Sequence, residues 1–217
     1  MSLRLHPAAY AATVGDDLVL LDVAQDQYFC LPGEAASFCL EDDLVTLRHC
    51  DAGLLEQLLG AGLVTSGAPS LATPRRAPLP APGLTDLSDD WPLTLGLGDV
   101  RRMSAAALRL YRWGYCGSLA SMIDAARPVA SRPGRRVDGL DLARRCERLL
   151  PWIPFQGECL FRSFLTVTAL RRAGVDVTWM FGVQTWPFRA HCWLQIDDVV
   201  INDAAERVGG YSPIMVA

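Results

Sequence analysis

The sequence predicts an α+β protein of two modules, and three observations support this prediction. Three β-like runs, at 10–14, 18–23 and 27–31, lie near the start and are separated by turn residues. A proline-rich stretch follows at 67–97. The remainder, 98–217, has helical apolar patterns that give way to alternating ones. Since 51% of the 217 residues are apolar, the chain can bury a core in each module.

Residues 1–66 form the first predicted module. After the β-like runs, the sequence PGEAASFCL predicts a short helix that begins at Pro32. Asp51 is a suitable N-cap for a further helix, which Gly60 and Gly62 end. The apolar residues that recur with helical spacing in it are Leu54, Leu55, Leu58 and Leu59. Three strands followed by short helices predict a small α+β or winged-helix-like module.

The stretch 67–97 is predicted to be a linker between the modules. It holds six of the fourteen prolines, which favour an extended and semi-rigid chain. Two arginines in its sequence PRRAP are interpreted as solvated charge rather than as a binding site.

The second predicted module, 98–217, begins with helices and ends with a sheet. One or two helices, broken near Gly114 or Gly117, precede a helix that Pro151 stops. A third helix begins at Cys159. The segments VDVTWMFGV, RAHCWLQI and VVIND then alternate as strands, the last two joined at Asp197-Asp198. Helices followed by strands predict a small antiparallel sheet.

Composition excludes several classes of function. A formal net charge of −4 argues against a nucleic-acid binder that relies on bulk positive charge. No apolar run is long enough to span a membrane, and the beginning, MSLRLHPAAY, lacks the apolar core of a signal peptide. The seven cysteines are odd in number and include no CxxC pair, so neither a disulfide framework nor a zinc ribbon is predicted. We therefore expect a soluble cytoplasmic protein.

Cys159 is a candidate nucleophile because it opens a helix. Unpaired N–H groups and the helix dipole favour an anion there, and this lowers the pKa of a thiol. Glu158 opposes the effect, and Arg162 is placed to offset Glu158. The backbone N–H of Cys159 is a candidate oxyanion donor, and the side chain of Gln156 is a second one. A buried structural thiol at 159 and an exposed loop residue at 156 are the alternatives.

His191 is a candidate general base. Strand alternation places Cys192, Leu194 and Ile196 on an apolar face, and His191 with Trp193 and Gln195 on the other, which predicts a cleft wall. Papain-like chemistry needs a helix-start cysteine, a strand histidine and then an Asp or Asn that orients the imidazole. A purely structural histidine is the alternative.

Asp203 is the candidate for the orienting carboxylate. A three-residue loop between the last two strands would bring it to the face of His191. A two-residue turn would instead point it away and leave Asn202 as the substitute. The triad hypothesis therefore predicts an odd-length loop or a bulge. A solvated carboxylate at the end of a strand is the alternative.

Neither a metal nor a cofactor is predicted. His6 and His49 belong to the first module. His191 and Cys192 are adjacent on a strand, so their side chains point to opposite faces and one ion cannot easily bind both.

Several short elements of the second module occur in a specific combination. They are Cys159-Leu160, Arg162-Ser163, Leu170–Gly174, Gly182-Val183, Pro187-Phe188, Ala190-His191, Trp193 and Asn202-Asp203. In this combination the chain resembles the transglutaminase-like domain of lasso-peptide B proteins, the leader peptidases of lasso-peptide biosynthesis. One departure is that these proteins usually have Ala-Trp-Val-Glu after the histidine, where this chain has Cys192 to Gln195.

This resemblance implies a papain/transglutaminase-like cysteine peptidase that removes the leader from a ribosomally made precursor. Cys159 would be the nucleophile, His191 the general base and acid, and Asp203 the orienting carboxylate. The implied partners are the precursor peptide and an ATP-dependent cyclase that closes the lasso ring.

Residues 1–66 resemble the precursor recognition element of such pathways, which is similar to the small peptide chaperone of pyrroloquinoline quinone biosynthesis. That fold binds a leader as an added strand on its third strand, and a helix closes the groove. Here the groove would lie between 27–31 and 54–63. Tyr28, Cys30, Leu55 and Leu59 are the candidate leader-binding residues, with simple core residues as the alternative.

Three functions stay open from the sequence. The first is a leader peptidase that attacks an amide through a thiolate and hydrolyses the thioester. The second is acyl transfer from the same site to an amine rather than to water. The third is a peptide-binding scaffold without catalysis.

Overall fold

A computed structural model describes residues 3–66, 94–114, 117–127, 136–153 and 159–217. The chain forms two compact units. Met1–Ala77, Gly182–Ala190 and Ser212–Val216 make up the first unit, and the remaining residues make up the second. The predicted module boundaries, at 66/67 and 97/98, stay predictions, because residues 67–93 of the linker lie outside the described ranges.

The first unit contains a three-stranded antiparallel sheet. Its strands are β2 (Ala9–Val14), β3 (Asp17–Asp22) and β4 (Gln27–Leu31), in the order β2-β3-β4. All six residues of β3 are buried. The three strands predicted from the sequence are thus confirmed within a residue or so at each end.

Two short strand pairs and one helix complete the described part of residues 3–66. β1 (Leu3–Leu5) pairs with β7 (Val64–Ser66), and β5 (Phe38–Leu40) pairs with β6 (Leu47–Cys50). The helix is α1 (Ala52–Gly60). A winged-helix-like arrangement is not seen, because residues 3–66 contain this one α-helix.

The short helix predicted from Pro32 is wrong. Residues 32–37 form turns, with Gly33 at φ 75°, and the chain then enters β5. The Gly33 N–H donates to the carboxylate of Asp17, at the start of β3. Contacts between residues distant in sequence therefore override the local helical preference.

The start of α1 is predicted correctly, but Asp51 does not cap it through its side chain. Asp51 has extended backbone angles, and its carboxylate lies 3.0 Å from Nε2 of His49 rather than on a helix N–H. Leu54 and Leu58 of α1 pack into a core with Leu18 and Leu20 of β3. This apolar packing, rather than a cap, stabilises α1.

Helices form most of the second unit. They are α2 (Leu97–Arg109), which continues as a π-helical turn over Leu110–Gly114, α3 (Leu119–Ala125), α4 (Arg136–Leu149) and α5 (Cys159–Arg172). Both α2 and α4 pack against α5. Every residue of α5 from Ser163 to Arg171 is buried, so α5 is the central helix of this unit.

Four strands form the second large sheet, in the order β10-β9-β8-β11. They are β8 (Thr178–Gln184), β9 (Arg189–Ile196), β10 (Val199–Val200) and β11 (Ser212–Val216). The first two predicted strands are confirmed, but the third, predicted over 199–203, ends at Val200. β11 and the short α6 (Ala205–Val208) were not predicted. The guanidinium of Arg171 in α5 donates hydrogen bonds to the carbonyl oxygens of Ala126, Val177 and Ala217. These bonds connect α5 to the last residue of the sequence.

Within the described ranges, no helix combines the length and the apolar character that a membrane span requires.

Candidate active site

Cys159 is the first residue of α5, as predicted, and it is half-buried. In this position its backbone N–H has no carbonyl within the helix to bond to. Residues 154–158 lie outside the described ranges, so the candidates Gln156 and Glu158 have no structural account.

His191 lies on β9 and contacts both Cys159 and Asp203. Its Nε2 is 2.5 Å from Oδ2 of Asp203. Its side chain also forms a hydrogen bond with the sulfur of Cys159. Because Nε2 faces the carboxylate, Nδ1 is the ring nitrogen left for the sulfur. The fold therefore brings the three predicted residues together.

Asp203 accepts further hydrogen bonds that hold its carboxylate. Oδ1 accepts from the backbone N–H of Ala204 at 2.8 Å and lies 3.1 Å from Nη1 of Arg207. The side chain of Asp203 is only 8% exposed. Both oxygens thus have partners, and the one toward His191 is fixed in direction.

Strand alternation did not predict how the chain places Asp203 beside His191. β9 and β10 are joined by a two-residue turn at Asp197-Asp198, and Val199 pairs with Ile196. The predicted odd-length loop or bulge is therefore wrong. The inference that a two-residue turn would point Asp203 away from His191 is also wrong. β10 ends at Val200 and the chain bends at 202–203, before Asp203 could follow the alternation of the strand. Alternation applies only while the chain remains a strand.

Asn202 lies in this bend and anchors it through two side-chain hydrogen bonds, so it does not take the place of Asp203. Its Oδ1 accepts from the backbone N–H of Leu194 at 2.7 Å, and its Nδ2 donates to Oγ of Ser163 at 2.8 Å. The side chain thus continues the hydrogen bonding of β9 after β10 has ended. It also links the bend to α5, so that Asp203 turns toward His191.

Aromatic rings enclose the imidazole. The ring centroids of Trp193 and His191 lie 6.2 Å apart, and the two rings are stacked. The ring centroids of Tyr211 and His191 lie 5.2 Å apart. Trp193 and Gln195 are fully buried, and Trp193 Nε1 donates to Oε1 of Gln195. The prediction that these two residues line a cleft is therefore wrong, because both side chains are fully buried, whereas His191 is only partly buried.

The electrostatics favour a thiolate–imidazolium pair. A hydrogen bond from the Cys192 thiol is the largest influence that lowers the pKa of Cys159 to about 4; burial opposes it, and His191 and the backbone amide of Cys192 add to it. The hydrogen bond to Asp203 raises the pKa of His191 to about 9, with help from Cys159 and against burial. Between these values the sulfur is negative and the imidazole is positive.

Two carboxylates near the pair behave differently. Burial by itself would raise the pKa of Asp203. The hydrogen bonds from His191 and the Ala204 amide outweigh burial, so the net pKa of Asp203 lies below its usual value. Burial raises the pKa of Glu147 on α4 to about 7, although Arg162 and Thr166 act in the opposite direction. Asp203 is thus ionised at neutral pH, whereas Glu147 is partly protonated.

The candidate leader-binding residues fall on different surfaces of the first unit. Phe29 and Leu31 of β4 pack against the core that contains α1, as does Leu55, while Leu59 is 44% exposed. Tyr28 and Cys30 alternate with Phe29 and Leu31, so they lie on the face of the sheet away from α1. The ring of Tyr28 packs on that of Phe188 there, at 5.8 Å. Tyr28 and Cys30 therefore do not line a groove between β4 and α1.

The described residues include no group of three or more His, Cys, Asp and Glu side chains placed to hold a metal ion.

A central helix that begins with a cysteine, followed by an antiparallel sheet that carries a histidine, defines a transglutaminase-like domain. The family model of the transglutaminase-like superfamily matches residues 103–216, just over half of the chain. The chain therefore belongs to the transglutaminase-like superfamily, which includes cysteine peptidases and acyltransferases.

One curated relative is the microcin J25-processing protein McjB of Escherichia coli. It is 36% identical over 50 residues, which are 23% of this chain and 24% of the relative. The match thus spans about a quarter of the relative's length. No solved structure matches the chain.

The pH dependence of alkylation tests the thiolate–imidazolium pair. We expect Cys159 to react with iodoacetamide along a profile whose midpoint is near pH 4, because its pKa is about 4. Burial raises the pKa of Cys146 to about 12, so this thiol should stay unmodified in the folded protein. Peptide mass spectrometry after brief labelling measures both. A midpoint for Cys159 near 8.5, the value of an ordinary thiol, would contradict the pair.

Substitution Asp203→Asn tests the role of the carboxylate. We expect the pKa of His191 to fall from about 9 toward 6.5, because the neutral amide no longer stabilises the imidazolium. NMR titration can follow this, since the chain has only three histidines. Arg207→Ala is the matched control: its guanidinium is 67% exposed, so its loss should change the pKa of His191 little. Equal effects of the two substitutions would refute the assignment.

Proposed function

We propose that this chain is a cysteine peptidase that binds and removes the leader of a ribosomally made lasso-peptide precursor. The observation that carries the proposal is the contact of Cys159, His191 and Asp203, with the pKa values of the first two shifted in opposite directions. The likeness to a microcin J25-processing protein supports a substrate of this class. On this proposal the Cys159 thiolate is the nucleophile.

The reaction would follow from the protonation states. The thiolate attacks the carbonyl carbon of the scissile amide, and the N–H of the His191 imidazolium protonates the leaving amine. A thioester to Cys159 remains. His191, now neutral, accepts a proton from water, whose oxygen attacks the thioester and releases the new carboxylate. Asp203 holds the imidazole in the orientation that both steps need.

Attack on the amide carbonyl produces an oxyanion, which needs hydrogen-bond donors to stabilise it. The backbone N–H of Cys159, which no helical carbonyl can bond, is the natural first one. The side chain of Gln156 stays a prediction for the second.

Leader binding is proposed at the edge of the first sheet. Among the described strands β4 pairs only with β3, so it is an edge strand of this sheet, the position at which an added strand would pair. Leu59 of α1 supplies an exposed apolar side chain, and Leu55 beside it is only partly buried. A leader bound there would be held by its backbone on β4 and by apolar side chains against α1.

Two partners follow from the proposal. The precursor peptide is the substrate, and an ATP-dependent cyclase would take over the released core peptide. A nearby cyclase matters chemically, because ring closure needs the amine that leader removal exposes.

Acyl transfer is the second candidate, and membership of the transglutaminase-like superfamily supports it. Acyl transfer and hydrolysis share each step up to the formation of the thioester. An amine would then attack in place of water. The masses of the products separate the two reactions, because hydrolysis adds the mass of water and transfer adds the amine.

Incubation with a precursor peptide tests the proposal directly. We expect the full chain to release the leader with the addition of one water. Cys159→Ala should lower the rate by roughly 10⁴-fold or more, since it removes the nucleophile. Cys39→Ala, which changes an exposed cysteine of the first unit, should leave the rate unchanged. Masses read at intervals measure this. Equal cleavage by the Cys159→Ala variant would refute the peptidase, and an unreactive wild-type Cys159 would favour a scaffold.

Charge on α1 tests the leader-binding surface. We expect Leu59→Glu to weaken binding of a fluorescent leader peptide roughly tenfold, because it removes an apolar contact and places a charge there. Leu108→Glu is the matched control, since Leu108 is a similarly exposed leucine on a helix of the second unit. Fluorescence anisotropy measures both affinities. If both substitutions weaken binding equally, or neither does, the site is not on α1.

A further inference from the structure

The N-terminal segment, residues 3–66, is far more acidic than the rest of the chain. It contains ten Asp and Glu side chains, two Arg and no Lys, so its formal net charge is −8. The whole chain carries −4, which leaves +4 for the remaining residues. In the described part of the first unit, Arg189 is the one further charged side chain. The N-terminal segment therefore creates a negative electrostatic potential, which attracts cations and repels anions.

Both arginines of the N-terminal segment already lie beside carboxylates near the turn between β5 and β6. Nη2 of Arg48 lies 3.4 Å from Oε2 of Glu41. Arg4 forms an isolated β-bridge with Thr46, whose hydroxyl donates to the carboxylate of Asp43, and the charge of Arg4 acts on this carboxylate. Because the N-terminal segment has no third Lys or Arg, it supplies no such cation to its carboxylates elsewhere.

Three of these other carboxylates border the edge strand β4 and the helix α1. Asp26 immediately precedes β4 and is exposed. Glu34 follows β4 in a turn, in which its backbone N–H donates to the carbonyl oxygen of Leu31, and it is partly exposed. Glu56 is exposed on α1 and lies one helical turn before Leu59, the exposed leucine of the proposed leader site. Negative charge therefore lies at both ends of β4 and on α1.

The length of β4 relates these charges to a peptide bound beside it. β4 has five residues, each exposed or partly exposed, whereas every residue of the neighbouring β3 is buried. An added strand runs alongside β4 and rises by the same distance per residue. A peptide paired along the whole of β4 therefore brings its two ends to Asp26 and Glu34, with roughly five residues between them.

We propose that the leader segment bound along β4 is cationic, with apolar side chains against α1 and Lys or Arg side chains toward Asp26, Glu34 and Glu56. This rests on the proposed function, which places the leader on β4. The backbone of the leader pairs with β4 whatever its sequence, so the carboxylates select among peptides rather than create the site. Complementary charge speeds association and disfavours acidic peptides. The expected pattern is Lys or Arg on each side of an apolar stretch of roughly five residues.

The test is the affinity of the full chain for a fluorescent synthetic peptide with the leader sequence of the precursor, measured by anisotropy. The Cys159→Ala variant is used as the parent so that the peptide stays intact. We expect affinity to fall roughly tenfold between about 0.05 M and 0.5 M NaCl, because salt screens exposed charge pairs. Glu56→Gln should weaken binding roughly threefold and Glu56→Lys roughly tenfold. Asp42→Lys is the matched control, since it makes the same change in net charge as Glu56→Lys at a fully exposed carboxylate beside Arg48; it should change the affinity by less than about twofold.

An exchange of charge separates direct pairing from a general field. A leader peptide whose Lys and Arg are replaced by Glu should bind the parent chain poorly and regain affinity with Glu56→Lys.

Three outcomes would overturn the proposal: a leader without Lys or Arg in the segment that binds, an affinity that salt does not change, or equal losses with Glu56→Lys and Asp42→Lys. The measurement does not depend on cleavage. A chain that binds the leader as expected but whose wild type fails to cleave a precursor would refute the peptidase alone. Cleavage combined with any of the three outcomes would refute the cationic leader alone, and a leader that does not bind at all would refute the site on β4 together with its charge.

Discussion

The packing of β9 against the start of α5 is the contact on which the rest of the site depends. It brings His191 to the sulfur of Cys159 on one face of the strand and places the Cys192 thiol beside Ser163 of α5 on the other. Residues Ser163 to Arg171 of α5 are buried, so packing holds the helix in place after its first turn. Ser163 and Asn202 add polar links between the same elements. Such directional contacts fix position more narrowly than apolar packing does.

The site contains three charges in a small, mostly buried volume. Their alternating signs lower the electrostatic cost of burying them. The negative sulfur and the negative carboxylate lie on either side of the positive imidazole. An isolated buried charge is costly, whereas a paired and hydrogen-bonded one is much less so. Glu147 would add a third negative group near Asp203, but its raised pKa leaves it partly protonated at neutral pH. The arrangement thus limits repulsion around the pair.

Sequence patterns predicted the elements of the site better than its final geometry. The helix start at Cys159 and the strand of His191 are local features, and periodicity and turn residues indicate them. The connection after that strand is a two-residue turn rather than the predicted odd-length loop. The position of Asp203 is not local, because it depends on where β10 ends and on the bonds of Asn202 to Leu194 and Ser163. The helix expected at Pro32 failed for a similar reason: pairing with distant strands decides the structure of short segments.

The residues that depart from the usual ones after the histidine, Cys192, Leu194 and Gln195, lie within the packed interior. Gln195 stands where the resemblance places a glutamate, and this could suggest the loss of a substrate contact. Its side chain, however, is fully buried and accepts a hydrogen bond from the indole of Trp193, so it cannot touch a substrate. A carboxylate at this point would bring an unpaired charge into the sheet, whereas an amide keeps the acceptor without the charge. The departure at residue 195 therefore acts on the packing and the charge of β9.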